Sequence, residues 1–252
     1  MRQLYNLLAD IGNSDIKTAL AIRGSHEIKS VKRHPYSKET YQKDFLSALK
    51  QISKNIKNDK SLKIGISLLN NKFKKHTTDL CFEEFGIKPV FIDRNTELPI
   101  EIKYGEGIGI DRICNAVAAK VIYKKKNILV IDFGTATTYT MVSGNTLTGG
   151  LIAPGIKTSM ISLTEKTSLP EIELTLPGKL INDNTKDNIK SGVLFQSYYS
   201  VIGIIKELKK EYGSLYTVTT GGLSELFKFE KSVINRTDRY LTLKGISIIL
   251  SA

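Results

Sequence analysis

The stretch Leu7-Leu8-Ala9-Asp10-Ile11-Gly12-Asn13-Ser14 carries a carboxylate to the end of an apolar run, then adds a glycine and two small polar residues. Leu129-Val130-Ile131-Asp132-Phe133-Gly134-Thr135-Ala136 repeats the arrangement at an offset of 122 residues, and Thr137 and Thr138 follow it. The glycines Gly12 and Gly134 let the main chain approach a ligand without a Cβ in the way. Asn13, Ser14, Thr135, Thr137 and Thr138, with the amides around them, have the groups to cradle a phosphate chain. Asp10 and Asp132 are themselves anionic, so phosphate beside them requires a cation in between. Taken singly, each turn could be an aspartate that merely caps a hairpin. Their repetition favours phosphate handling.

A third acidic group lies in Gly109-Ile110-Asp111-Arg112, at the head of a helical pattern. Asp111 there either caps the helix or accepts a proton from an attacking hydroxyl. The guanidinium fork of Arg112 would grip a carboxylate or phosphate. Two further stretches allow close backbone approach. Gly149-Gly150-Leu151-Ile152-Ala153-Pro154-Gly155 reads as a rigid loop. Thr220-Gly221-Gly222 reads as a tight turn after a strand, where adenine or ribose could lie against bare backbone. No GxGxxG follows the first strand and no GxxxxGKS/T occurs, so the chain carries neither dinucleotide nor P-loop fingerprint. Cys81 and Cys114 stand in no CxxC pattern, and His26, His34 and His76 are scattered, which leaves no raw material for a zinc site or a histidine triad.

These groups must be held by strands and helices. Leu4–Asp10, Ile16–Ile22 and Glu27–Val31 read as strands joined by turns, Leu62–Leu69 as a buried strand and Val90–Ile92 as a short strand. Phe45, Leu49, Ile52 and Ile56 recur at helical spacing within Thr40–Ile56. Helices are also predicted over Phe73–Phe85, Asp111–Ile122 and Lys186–Tyr212, and one opening at Leu223–Phe227; Leu243–Leu250 fits helix and strand equally. Strand patterns at Ile128–Ile131, Tyr139–Val142 and Thr146–Leu151 follow the plan of the first three strands, as a duplicated fold would. With 252 residues, 41% hydrophobic and 25% charged, the composition is that of a globular protein. No apolar run approaches the length of a membrane span, so the sequence predicts a cytoplasmic protein without a membrane partner. The net charge of +12 comes from dispersed lysines rather than an arginine-rich arm, which predicts a solvated basic surface and no specific nucleic-acid partner.

Asp-Ile-Gly-Asn-Ser at Asp10, Gly-Ile-Asp-Arg at Gly109, Asp-Phe-Gly-Thr-Ala-Thr-Thr at Asp132, Gly-Gly-Leu-Ile-Ala-Pro-Gly at Gly149 and Thr-Gly-Gly at Thr220 occur in that order. Together they resemble the type III pantothenate kinase family. The resemblance implies an α/β fold of duplicated ribonuclease-H-like (actin-like ATPase) domains with a central cleft that takes ATP, divided here as residues 1–115 and 116–252. It implies ATP-dependent phosphorylation of pantothenate to 4′-phosphopantothenate, the first step of coenzyme A synthesis, by a homodimer that needs Mg²⁺ and a monovalent cation, K⁺ or NH₄⁺. By position, Asp111 matches the general base. Tyr104, Gly109 and Arg112 match the substrate pocket, and Thr185 a pocket threonine reached from the partner subunit. Asp10, Gly12, Asn13 and Ser14 match the first phosphate turn, with Asp10 linked to metal. Gly134, Thr135, Thr137 and Thr138 match the second, with Asp132 linked to the monovalent cation. Gly221 and Gly222 match the nucleotide turn. The chain departs from the family in a shorter, proline-free link from Tyr104 to Gly109. Two other readings stay open: a kinase for another small hydroxyl-bearing acid, and a nucleotide-binding regulatory relative without turnover.

Overall fold

A computed structural model describes residues 4–54, 56, 61–165 and 172–251. Along the chain run β1 (Tyr5–Ile11), β2 (Asp15–Ile22), β3 (Ile28–Pro35), α1 (Tyr41–Ser53), β4 (Lys63–Leu68), a single 3-10 turn, α2 (Lys74–Phe85), β5 (Val90–Ile92), β6 (Glu101–Ile102) and α3 (Ile110–Tyr123). There follow β7 (Asn127–Phe133), β8 (Ala136–Ser143), β9 (Thr146–Pro154), α4 (Ile156–Thr164), α5 (Thr185–Tyr212), β10 (Tyr216–Thr220), β11 (Arg236–Thr237) and α6 (Leu241–Ser251). The chain forms two compact units, Met1–Tyr123 with Tyr240–Ala252, and Lys124–Arg239. The sequence reading divides the chain at 115/116, inside the continuous helix α3; the units instead part after α3, and the first takes back the last helix.

Both units are built on one plan. In the first, the strand order is β3-β2-β1-β4-β5, an antiparallel meander β1–β2–β3 with β4 and β5 added parallel to β1. In the second, β9-β8-β7-β10-β11 repeats it, with β10 and β11 parallel to β7. The repeat is one residue out of step after the first turn. Lys17 stands opposite Asp10, and Thr138 opposite Asp132, an offset of 121 rather than 122. The second turn is thus a residue tighter: Gly12 N–H reaches the Asp15 carbonyl, but Gly134 N–H reaches that of Ala136.

Alternation along β1 sorts its side chains by face. Leu7, Ala9 and Ile11 join a core with Phe45, Leu49 and Ile52 of α1. The opposite face carries Leu8 and Asp10, and Gly65 on β4, the neighbour of Leu8, packs there against Ile246 of α6. In the second unit Leu129, Ile131 and Phe133 pack with Leu194, Val201 and Ile205 of α5, and Asp132 takes the other face. The two acidic residues are therefore held by strands whose alternate positions fill a core.

Three local expectations change. Gly149–Pro154 is not a loop but the second half of β9, in register with Met141 to Ala136 of β8; only Gly155 leaves the strand, as the N-cap of α4. Leu223–Phe227 makes successive turns, not a helix, because Leu223 N–H is taken by the Phe133 carbonyl and Leu226 N–H by that of Leu223. The closing segment is a helix, α6, almost entirely buried, which is why its sequence is apolar on every side. Asn55, inside the predicted Thr40–Ile56 helix, lies outside the described residues. No helix among the described residues is long and apolar enough to cross a membrane.

Candidate active site

In the first unit Asp10 is 4% exposed, with one carboxylate oxygen 3.2 Å from Lys17 Nζ. The other oxygen, Oδ1, is buried without a protein partner. The turn beyond it is stapled by Tyr36, whose hydroxyl donates to the Gly12 carbonyl and whose N–H donates to that of Ser14. Burial, and then Asp15, raises the Tyr36 hydroxyl above its ordinary pKa, so it stays protonated and able to donate. Asn13 and Ser14 at the tip are exposed. Lys17 lies outside the motif that singles out Asp10 and its loop. Four residues, 12–15, lie between the paired Ile11 and Ile16, which sets position 17 opposite position 10, so the signal is the loop length.

Asp111 occupies the first turn of α3. Its Oδ1 accepts the N–H of Arg112 at 2.9 Å. A Cβ on Gly109 would come within 2.4 Å of that oxygen, so glycine is what allows the carboxylate to fold back over the helix start. Arg112 is 3% exposed, its guanidinium 5.0 Å from the centre of the Tyr104 ring and one nitrogen 3.1 Å from the Tyr104 hydroxyl. The exposed Arg94 holds the carbonyls of Tyr104 and Gly105 at 2.8 and 3.1 Å, and Gly107 turns the shortened link with φ +80°. Tyr104, Gly109, Asp111 and Arg112 are thereby brought into one cluster. The carboxylates of Asp10 and Asp111 both act on Cys114, which after burial are the causes that raise its thiol well above the ordinary range. Burial pushes Cys81 up to about 12. Neither thiol supplies a nucleophile at neutral pH.

In the second unit Asp132 and Thr138 are register partners and share a face, whereas Thr137 points to the other and its hydroxyl is buried. The exposed Thr135 gives its carbonyl to Gly155 N–H and to the Thr158 hydroxyl, which ties the turn to the start of α4. Gly221 meets the same turn. Gly221 has φ +95°, and a Cβ there would sit 2.3 Å from Asp132 Oδ1 and 2.7 Å from the Phe133 carbonyl. Gly221→Ala should therefore both strain the turn, at about 1–3 kcal/mol, and displace Asp132. The expected result is a Tm lower by roughly 3–10 °C and weaker stabilisation by ATP in a thermal-shift titration; an unchanged Tm would mean the turn yields freely. Thr185 lies apart from these turns in the sequence and is exposed at the first position of α5, after the Asn184 cap that accepts Asp187 N–H.

Among the described residues no three His, Cys, Asp or Glu side chains cluster to cage a metal. A divalent ion that keeps most of its water and rides on phosphates needs no cage, only one or two carboxylates. Asp10, buried and with one oxygen unpartnered, fits that requirement.

The chain is 38% identical to a type III pantothenate kinase of Halalkalibacterium halodurans over 175 residues, which cover 68% of each protein. It is 37% identical to one of Bacillus cytotoxicus over 175 residues, covering 68% of this chain and 66% of that protein. Among solved structures it is similar to a Baf family protein from Campylobacter jejuni, 21% identical, with a TM-score of 0.60 over 97% of this chain and 96% of that one. It is also similar to a ROK hexokinase from Thermus thermophilus, 13% identical, with a TM-score of 0.51 over 98% and 97%. These likenesses show the fold, two ribonuclease-H-like units of the actin-like ATPase kind. The model of the type III pantothenate kinase family matches residues 6–207, a span that takes in both acidic turns and the Asp111 cluster, and the chain belongs to that family.

Proposed function

We propose that the protein transfers the γ-phosphoryl group of ATP to the primary hydroxyl of pantothenate, giving 4′-phosphopantothenate and ADP in the first step of coenzyme A synthesis. The observation that carries this reading is the Asp111 cluster: a carboxylate fixed at the head of α3, next to a buried arginine stacked on Tyr104. A base and an anion clamp one residue apart suit a substrate that bears both a hydroxyl and a carboxylate. Asp111 takes the hydroxyl proton as that oxygen bonds to the γ-phosphorus; the bond from phosphorus to the β–γ bridging oxygen breaks, and its electron pair leaves on ADP. Arg112, with Tyr104 and Gly109, orients the acid end of pantothenate, and Thr185 of a partner subunit completes the pocket. Gly12, Asn13 and Ser14, and likewise Gly134, Thr135 and Thr138, offer amides and hydroxyls to phosphate, with Thr137 behind the second turn on its core face, while Gly221 and Gly222 leave bare backbone for the nucleoside. Lys17, already on Asp10, brings a positive charge to the first turn. Mg²⁺ held through Asp10 and K⁺ or NH₄⁺ held at Asp132 would supply the neutralisation of phosphate charge on which such transfers depend.

A homodimer acting in the cytoplasm completes the proposal. Its support is a run of exposed apolar side chains in the second unit: Leu151, Ile152, Ile161, Leu163, Leu180 and Ile181, the last 82% exposed. The long helix α5 offers Tyr199 to such a surface. The test is one assay. Purified protein with ATP and Mg²⁺ should release ADP only when pantothenate is present, with a rate raised by K⁺ and a product heavier by one phosphate. The pinned, shortened link at Tyr104–Gly109 gives the second reading, another small hydroxyl acid, its specific support. ADP release with such an acid and none with pantothenate would replace the first reading by the second, and ATP binding without any product would overturn both.

A further inference from the structure

Ser67 sits in the middle of the first sheet, fully buried, and its hydroxyl has no protein partner. Buried hydroxyls are almost always paired, and an unpaired one costs stability that alanine would not. Ile64, Ile66 and Leu68 fill the other face of the strand with hydrocarbon, so Ser67 takes no part in that core. What distinguishes it is its neighbour. Ser67 is the register partner of Asp10 across the parallel pair of β4 and β1, on the same face, and Asp10 Oδ1 is the other unpartnered oxygen there.

The second unit repeats this independently. Thr220, on the strand parallel to β7, is the register partner of Asp132; it too is fully buried, and its hydroxyl is unpartnered. Among the described residues the other unpartnered hydroxyls do not share the pattern, since Thr18 lies opposite Ala9, and Thr137 opposite Phe133 and Ala153. The offsets differ, 122 from Asp10 to Asp132 and 153 from Ser67 to Thr220. Local sequence similarity therefore does not account for the match; the equivalent strand register does.

We propose that Ser67 is a positioning residue which, with Asp10, forms a two-oxygen seat for one water of a phosphate-borne divalent cation, and that Thr220 offers its hydroxyl oxygen in the same way to a water of the cation held at Asp132. A water bound to a cation turns its hydrogens outward and needs acceptors. A carboxylate oxygen and a hydroxyl oxygen from adjacent strands supply two, held rigidly because both lie on a sheet rather than a loop. The inference rests on the kinase reading, in that it takes the cation to arrive with ATP.

The test separates a ligand-directed hydroxyl from a structural one by sign. Ser67→Ala and Thr220→Val should leave the Tm of the nucleotide-free protein unchanged or raise it, because an unpaired buried hydroxyl is removed. Affinity for Mn²⁺, read by electron paramagnetic resonance with a non-hydrolysable ATP analogue present, should fall about tenfold for Ser67→Ala. Affinity for the analogue in EDTA should not change, and Ser67→Thr should restore Mn²⁺ binding. Unchanged Mn²⁺ affinity in Ser67→Ala, or a lowered Tm of its nucleotide-free form, overturns the proposal. Failure of the unsubstituted protein to bind the analogue at all would instead remove the kinase reading beneath it.

Discussion

Asp111→Asn is expected to lower kcat about 10²–10³-fold, within the range of a lost general base, while the KM for ATP changes little. The substitution isolates the proton-accepting role. Asparagine keeps an oxygen that can accept the Arg112 N–H as Asp111 Oδ1 does at 2.9 Å, so the start of α3 should hold and the Tm should move by no more than roughly 2 °C. It also keeps the side-chain shape for which Gly109 leaves room. Asp111→Ala would instead remove both the base and the helix-end acceptor, adding a stability loss of about 1 kcal/mol. Comparing the two divides chemistry from architecture. Because proton loss in phosphoryl transfer can come late, the base contributes less than it does in acyl transfer, which is why the lower part of the general-base range is expected. Full turnover in the asparagine variant, measured by coupled ADP release, would remove Asp111 as the base and return it to the role of a cap.

What the sequence made legible is local. Asp10 and Asp132 could be read because a strand, an aspartate and a glycine follow one another directly, and the Asp111 cluster because Gly109, Asp111 and Arg112 fall within four positions. Val90–Ile92 is legible as a short apolar run, and the helix over Lys186–Tyr212 from apolar residues that fall near one stripe. Lys17 and Ser67 were not. Each faces Asp10 across a strand pair, and register between strands depends on turn length and core fit rather than on neighbouring residues. The one-residue difference between the two acidic turns illustrates this, since it moves the partner of the aspartate from Lys17 in one unit to Thr138 in the other. Gly149–Pro154 misled in the opposite direction. Glycine and proline there suggest a loop, yet β9 runs along them, and the irregularity their sequence advertises is met by a register shift between Met141 and Val142 on β8. Likewise Leu223–Phe227 has helical composition, but Gly221 commits the preceding backbone to a left-handed turn against Phe133. Tertiary contact decides these segments, and no window of sequence contains it.

The last helix shows the largest effect of such contact. Gly245→Ala should destabilise the protein by about 3 kcal/mol or more, at the upper end for overpacking, and lower its Tm by roughly 6–12 °C. A Cβ at position 245 would lie 2.0 Å from the Cys114 carbonyl oxygen and 2.8 Å from the Cys114 Cα. These are backbone atoms in the middle of α3, so no rotamer change relieves the clash. Sliding α6 outward is blocked or costly on other sides. Its Thr242 hydroxyl is hydrogen-bonded at 2.9 Å to the buried Asn115 of α3, and Ile246 and Leu250 already press on Gly65 of β4. Either the helices part and that buried bond is lost, or α3 shifts and carries Asp111 and Arg112 with it. The two responses differ in activity. Parting at α6 alone lowers stability with kcat nearly intact at low temperature, whereas movement of α3 lowers kcat as well. Gly65→Ala is the informative companion, because its contacts at 2.9 and 3.0 Å are side-chain methyl groups of Ile246 and Leu250 rather than backbone; it should cost roughly 1 kcal/mol. A Gly245→Ala protein as stable as the parent would show that the close approach of α6 to α3 is not what fixes the final helix to the first unit.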